Sequence, residues 1–418
     1  MRGWGRASDE VIDGPPGTGK TFLQHYLIRE TLNRGGRVLY LLLTAQLASR
    51  MREKFGKTID VDTFHAVLGD GSDGVANPAA LFPYSLVLID ECYHMNGRLF
   101  AHFNRAWKAC DRVPAAVLAG DRQQLGAPGG TPAYLTPVWK KSTFSTMLKV
   151  NKDFKQRCQD PVHANILRVL RMHMPSPRGG RGLTVPQIVH GRKAWNGPEP
   201  TVADIRKLFR EHPETTILTV SRVGASRIDD LCMQAKYPRR EPLVILPGDM
   251  ESNPANYYSE GPRKGKLKPC KDLKARQVPI HVGMPIYMTR NVIKRVDFVN
   301  GMMARVEAYD PKSGGLRVLT NTGHRLTVFR WTDKELGNRT YYPIRPGFAS
   351  TILKFQGAEL RHVTIYLDVP GIPGAAYTAI SRVATARQWL IGGRVGPKHF
   401  TPRVYAFMRS FTNRQIVD

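Results

Sequence analysis

The chain has 418 residues, 42% of them hydrophobic, which is too long for one ordinary domain and apolar enough for several cores. It carries 62 Lys and Arg against 34 Asp and Glu, a net charge of +28 that repels itself unless a partner neutralises it. Its 5 cysteines are odd in number and widely spaced, which excludes a disulfide framework or a close-set zinc site and points to a reducing, intracellular setting. No apolar run approaches the ~18 residues of a membrane span, and no signal-peptide core opens the chain.

The charge is uneven. Residues 1–150 hold 18 basic and 13 acidic residues, whereas residues 151–418 hold 44 and 21. Binding a polyphosphate would neutralise the excess and release counterions, so nucleic acid is the expected partner.

Glu10-Val11-Ile12-Asp13 has the pattern of a short strand, and Gly14-Pro15-Pro16-Gly17-Thr18-Gly19-Lys20-Thr21 follows as a phosphate-binding loop. Its glycines let successive N–H groups converge on a phosphate, so Gly17, Thr18 and Gly19 are expected to line the cradle. Lys20 would reach the β- and γ-phosphates of a nucleoside triphosphate, and the Thr21 hydroxyl would ligate Mg²⁺. The next residues predict a helix with Phe22, Leu23, Tyr26 and Leu27 on one face, its N-terminus aimed at the phosphates.

Val38–Leu43, Leu86–Ile89 and Ala115–Ala119 are wholly apolar runs, as expected of parallel strands covered on both faces. With helical patterns between them they predict a doubly wound α/β domain. Asp90 and Glu91 close the second run, where one carboxylate can hold Mg²⁺ and the other can polarise an attacking water. Gly120-Asp121-Arg122-Gln123-Gln124-Leu125 closes the third and places Gln124 to sense a γ-phosphate.

Val162, Ile166, Val169 and Leu170 form an apolar helical face, and residues 173–200 read as a linker rich in Gly, Pro and Arg. A second α/β pattern starts with a strand at Thr216–Val220 and a helix over Ser226–Ala235. Residues 251–276 become strongly basic, a pattern equally consistent with a solvated segment and a nucleic-acid contact. Over 278–345, short strands at Pro285–Thr289, Arg305–Tyr309, Leu316–Thr320 and His324–Phe329 are separated by turns, with Asn300-Gly301 as a hairpin signal. A small antiparallel β-barrel inserted into the second domain is expected there. The α/β pattern resumes near Gly347, with strands at His362–Leu367 and Trp389–Gly392.

A phosphate loop, then Asp90-Glu91, then Gly120-Asp121-x-x-Gln124-Leu125, in that order, resembles the superfamily 1 helicases. Leu43-Thr44-Ala45 resembles their motif Ia, and Thr63-Phe64-His65 resembles the Thr-x-His element that touches the nucleic-acid backbone. Gln356-Gly357-Ala358-Glu359 resembles motif V, with Glu359 near the ribose. Tyr377-Thr378-Ala379-Ile380-Ser381-Arg382 resembles motif VI, which makes Arg382 an arginine finger. Arg157 resembles the second γ-phosphate arginine, although one residue separates it from Gln159 where the family has an Arg-Gln pair. The Thr-Phe-His element and the inserted barrel are similar to the 5′→3′ subgroup, the RecD-like enzymes and the helicases named for petite integration frequency.

The resemblance runs from about residue 11 to 395 and implies two RecA-like P-loop domains. They fall at 1–160 and at 161–276 plus 346–418, with the barrel at 277–345. It implies an ATP- and Mg²⁺-dependent monomeric motor on single-stranded nucleic acid, DNA in the first instance, with Arg382 supplied by the second domain. A viral-type RNA helicase of the same superfamily and a non-catalytic nucleic-acid-binding remnant are the alternatives. The subgroup carries an adenine-reading glutamine some 20 residues before the phosphate loop. Here 13 residues precede Gly14 and none is glutamine, so a late start of the chain or relaxed selectivity among triphosphates is expected.

Overall fold

The computed structural model describes residues 10–69, 77–127, 129–145, 147–149, 158–176, 182–263, 265–293, 298–403 and 413–415. Packing divides the chain into two units. The first comprises Met1–Leu183, Pro373–Thr385 and Phe400–Asp418, and the second Thr184–Ile372 and Ala386–His399.

In the first unit, strands β1 (Glu10–Asp13), β2 (Val38–Leu42), β3 (Asp60–Thr63), β4 (Leu86–Ile89), β5 (Ala115–Gly120) and β6 (Met147–Lys149) build a parallel sheet, joined at its edge by Asn413–Gln415. Helices α1 (Lys20–Asn33), α2 (Ala45–Phe55), α3 (Phe64–Leu68), α4 (Gly97–Lys108), α5 (Pro137–Lys140) and α6 (Pro161–Met172) complete it. All five residues of β2 are buried because alternate side chains enter different cores. Leu39 and Leu41 pack with Phe100, Phe103 and Trp139 on one face, and Tyr40 and Leu42 pack with Ile28 and Leu88 on the other. A continuous apolar run is therefore required, with about 1.5–3 kcal/mol gained per large side chain buried.

α1 departs from its expected face. Leu23 and Leu27 pack on the core, but Phe22 and Tyr26 are exposed, at 68% and 45%. Gln24 is buried in their place and accepts a hydrogen bond from the Tyr40 hydroxyl at 3.0 Å.

The second unit opens inside the expected linker, with α7 (Val185–Val189) and β7 (Lys193–Trp195). Thr184 and Gln187 form a reciprocal capping box that the Gly/Pro/Arg composition concealed. There follow α8 (Val202–Glu211), β8 (Thr216–Thr219) and α9 (Arg222–Lys236), which is capped by Ser221 and starts four residues before the expected Ser226. A ribbon of β9 (Val244–Gly248) and β10 (Arg276–Ile280) leads to β11 (Pro285–Met288), β12 (Met303–Asp310), β13 (Gly315–Thr320) and β14 (Arg325–Val328). After a second ribbon, β15 (Trp331–Asp333) and β16 (Arg339–Tyr341), come β17 (Ile344–Pro346), β18 (Ala349–Thr351) and β19 (Val363–Tyr366). α10 (Ala375–Ile380) belongs to the first unit and β20 (Trp389–Gly392) to the second.

The second parallel sheet has the order β18-β8-β19-β20-β7, and the antiparallel segment forms a five-stranded sheet in the order β14-β13-β12-β11-β17. Among the described residues no ladder joins β14 to β17, so the antiparallel sheet is established and its closure into a barrel is not. Asn300-Gly301 is not a two-residue hairpin turn. It ends a longer β11–β12 connection, with the Gly301 amide donating to Met288 O at 2.8 Å and Gly301 at φ 90°.

The unit boundaries also differ from those expected. α6 was assigned to the second domain. It packs with the first unit because Arg171 reaches Asp121 at 3.2 Å and His163 Nε2 meets Val383 O at 3.1 Å.

Candidate active site

Strand β1 delivers the phosphate loop at its carboxyl end. Gly17 and Gly19 take φ of 75° and 91°, a region costly to a residue with a Cβ, and Gly19 caps α1. The Lys20 ammonium folds back on the loop, donating to Gly14 O at 2.8 Å and Pro15 O at 2.9 Å. The Thr18 hydroxyl donates to Pro15 O at 2.8 Å. Thr21 stands exposed in the first turn of α1.

β4 delivers Asp90 and Glu91 at the same sheet edge. The Glu91 amide donates to Asp90 Oδ1 at 2.9 Å, and Glu91 sits at φ 52°, a left-handed conformation worth about 1–3 kcal/mol of strain for a non-glycine residue. Burial, then the neighbouring Glu91 charge, pushes the Asp90 carboxyl up to about 6. Burial opposes ionisation of Glu91 as well. The His94 contact at 3.6 Å and the Arg382 and Lys20 charges outweigh it and hold Glu91 below the usual carboxylate range. The two carboxyls are thus pushed in opposite directions, Asp90 up and Glu91 down.

β5 delivers Gly120–Leu125, and α10 holds this segment in place. The Leu125 amide donates to Thr378 Oγ1 at 2.6 Å, and the Tyr377 hydroxyl donates to Asp121 Oδ2 at 2.6 Å. Arg382, only 3% exposed, donates through Nη2 to Gln124 Oε1 at 3.2 Å and through Nε to Thr378 O at 2.9 Å. Lys20, Asp90, Glu91, Gln124 and Arg382 therefore all belong to the first unit, although Arg382 was expected on the second.

Asp121, completely buried, was passed over in the sequence. It accepts from Arg171, Tyr377 and the Gln123 amide and ties α6, α10 and β5 together. Arg403 was missed too. It donates to Gln124 O at 2.8 Å and to the Tyr134 hydroxyl, and no motif marks it.

Thr63 ends β3, paired with Leu42 at the end of β2, and Thr44 follows β2 two residues later. Thr44 caps α2 and is exposed. Thr63 caps α3, accepting from the Ala66 amide at 3.3 Å, and is 7% exposed, so its hydroxyl is engaged in the cap while His65 faces solvent. Gln356, Gly357 and Glu359 lie in the second unit, after a short turn at Ile352–Phe355. Gln356 is buried and Glu359 exposed. Arg157 lies outside the described residues.

The second unit holds a polar cavity of about 70 Å³ lined by Arg222, Arg290, Arg345 and Lys354 together with Asp249 and Thr351. Burial, then the Arg345 and Arg222 charges, pushes the Lys354 ammonium down to about 7. These cations span 222–354 in sequence, so no local charge run announced them.

A family model described as an AAA domain matches residues 6–155. The ATP-dependent DNA helicase PIF1 of Mus musculus is 23% identical over 235 residues, covering 48% of this chain and 36% of that protein. The Rattus norvegicus protein aligns alike, so the chain spans about a third of the curated relatives it matches. A Bacteroides Pif1 solved with bound ssDNA superposes over 96% of this chain and 92% of that one, with a TM-score of 0.65 at 18% identity. The chain has the fold of the Pif1 helicases. Pif1 from Candida albicans agrees at a TM-score of 0.55 and 16% identity, over 90% of this chain and 95% of that one. Two RecA-like α/β units, as expected, account for both parallel sheets.

Proposed function

We propose that the chain is an ATP-driven motor that advances 5′→3′ on single-stranded DNA and unwinds duplex ahead of it. The observation that carries this reading is the assembly of Lys20, Asp90, Glu91, Gln124 and Arg382 in one unit, all with the side chains that hydrolysis requires. Support comes from the relatives: the PIF1 proteins are DNA helicases, and a Bacteroides Pif1 has been solved with ADP-AlF3 and ssDNA. A decayed remnant would have lost members of the set.

In this reading Lys20 leaves its two carbonyls for the β- and γ-phosphates. Ionised Glu91 takes a proton from the attacking water, and Gln124 orients that water. Arg382 stabilises charge developing on the transferred phosphoryl group. Thr21 and Asp90 offer hard oxygen ligands suited to Mg²⁺, and a carboxyl whose ionisation is opposed by burial and by the Glu91 charge favours a cation beside it. Bound Mg²⁺ would neutralise phosphate charge.

Thr44, Thr63 and His65 in the first unit and the Arg222/Arg290/Arg345/Lys354 cavity in the second would take backbone phosphates. We read the antiparallel sheet as a small barrel, supported by the bulge between Val306 and Ala308, which curves its central strand. The working unit is a single chain. Strand displacement on substrates with 5′ or 3′ tails, in DNA and RNA, tests the reading. Unwinding from 5′ DNA tails is expected, and unwinding confined to RNA or to 3′ tails would overturn it.

A further inference from the structure

The second unit contains a cavity that the motor reading leaves unused. It measures about 590 Å³, within the about 300–1,000 Å³ of small-molecule pockets, and its lining is mostly apolar. It opens at the carboxyl ends of β8 and β19, the edge of an open α/β sheet where ligands bind. The first turns of α9 form its floor, the loop after β19 one wall, and the excursion between β9 and β10 another.

The walls are held rigidly. Asp368 accepts from the Val220 amide at 2.7 Å and from the Ser221 hydroxyl, which itself caps α9. Gly224 is required there, because a Cβ would fall 2.3 Å from Asp368 Oδ2. Tyr257 is fixed by its hydroxyl on Glu251 O at 2.7 Å, and the Tyr366 ring packs 5.7 Å from Trp195. Tyr258 sits on a tight turn in the basic excursion, its amide donating to Lys266 O at 3.1 Å and its carbonyl accepting from the Gly265 amide at 2.8 Å.

The rim is cationic. Arg222 and Arg227 border the cavity, each about 60% exposed and paired with carboxylates, Glu251 at 3.0 Å and Glu199 at 3.1 Å. Arg263 lies 5.9 Å from the Tyr258 ring. Three tyrosines inside and arginines at the mouth match a nucleotide unit, with an aromatic face to stack and a phosphate to neutralise. A peptide would be offered the same apolar wall, but the arginine rim on a chain of net charge +28 favours the anionic polymer.

We propose that this cavity takes one unstacked base of the bound single strand, with Arg222 and Arg227 on the flanking phosphates. It rests on the single-strand reading above and adds to it a base-holding subsite lined by Tyr257, Tyr258 and Tyr366. Unstacking costs little in a single strand. The basic excursion at 251–276 then contributes a wall of this subsite as well as charge.

The test is binding by the full chain of a short oligodeoxynucleotide and of the same strand carrying abasic sites, for wild type, Tyr258→Ala and the cavity-filling Leu231→Trp. Wild type is expected to bind the base-bearing strand about tenfold tighter than the abasic one. Both variants should lose that preference while keeping affinity for the abasic strand, a pattern that a general structural defect would not give. Arg227→Ala should weaken both strands alike. If the variants weaken both strands equally, or neither, the proposal is overturned while strand binding stands. If wild type binds no single strand, the motor reading and the proposal fall together.

Discussion

Arg382 Nη2 donates to Gln124 Oε1 at 3.2 Å, which joins the expected arginine finger directly to the expected γ-phosphate sensor. Both are nearly fully buried, at 3% and 2% exposed. In the proposed mechanism the pair acts together on the γ-phosphate. Arg382→Ala should therefore leave nucleotide binding near wild type and lower strand-stimulated kcat by about 10³-fold or more. Fluorescent-nucleotide titration and steady-state hydrolysis check the two halves separately, and an unchanged kcat would remove Arg382 from the site.

Gly374 is where α10 abuts the segment after β5. It has φ 80°, and a Cβ there would lie 2.8 Å from Gln123 O and 3.0 Å from Gln124 O. Those are backbone atoms that cannot swing aside. Gly374→Ala should cost about 1–3 kcal/mol of overpacking and strain and displace Gln124, lowering kcat with little change in nucleotide affinity. Thermal unfolding measured alongside kinetics tests both effects.

The Asp121 tie predicts graded losses. Tyr377→Phe removes one donor of three and should cost about 1–3 kcal/mol. Asp121→Ala leaves Arg171 without its 3.2 Å partner and should cost about 3–5 kcal/mol. Denaturant unfolding of the two variants should rank them in that order, and equal losses would argue against Asp121 as the centre of the network.

The legible parts of the sequence were those where local chemistry dictates the answer. Val38–Leu42 and Leu86–Ile89 had to be doubly covered strands because no polar face interrupts them. The phosphate loop and Asp90-Glu91 were legible because their geometry needs those residue types. The contacts that hold the site were not legible: Asp121 with Arg171 and Tyr377, and Gln124 with Arg403, join residues 50 to 279 positions apart. The exposure of Phe22 and Tyr26 was hidden for a related reason, since apolar spacing marks a face without saying what lies opposite it. Composition misled at 184–195, where one capping box outweighs the surrounding glycines and prolines.

In the proposed strand path, Lys354 should give binding a pH dependence. Its folded-state ammonium titrates near 7, lowered from 10.5 by burial and by the Arg345 and Arg222 charges, so it is charged below that pH and neutral above. A phosphate in the cavity favours the charged form and raises this value, so binding takes up a proton. Affinity for single-stranded DNA should fall by up to about tenfold per pH unit above 7. Lys354→Arg, charged throughout, should flatten the profile over pH 6–9. A wild-type profile already flat would take Lys354 out of the strand's path.

The central claim is that the site around Lys20 hydrolyses ATP in response to a single strand. Hydrolysis with and without single-stranded DNA, in wild type and Lys20→Ala, tests it most directly. The account predicts a strong stimulation by the strand in wild type and its loss in Lys20→Ala, with DNA binding retained in both. Wild-type protein that binds the strand yet hydrolyses no ATP, or a Lys20→Ala variant as active as wild type, would contradict it.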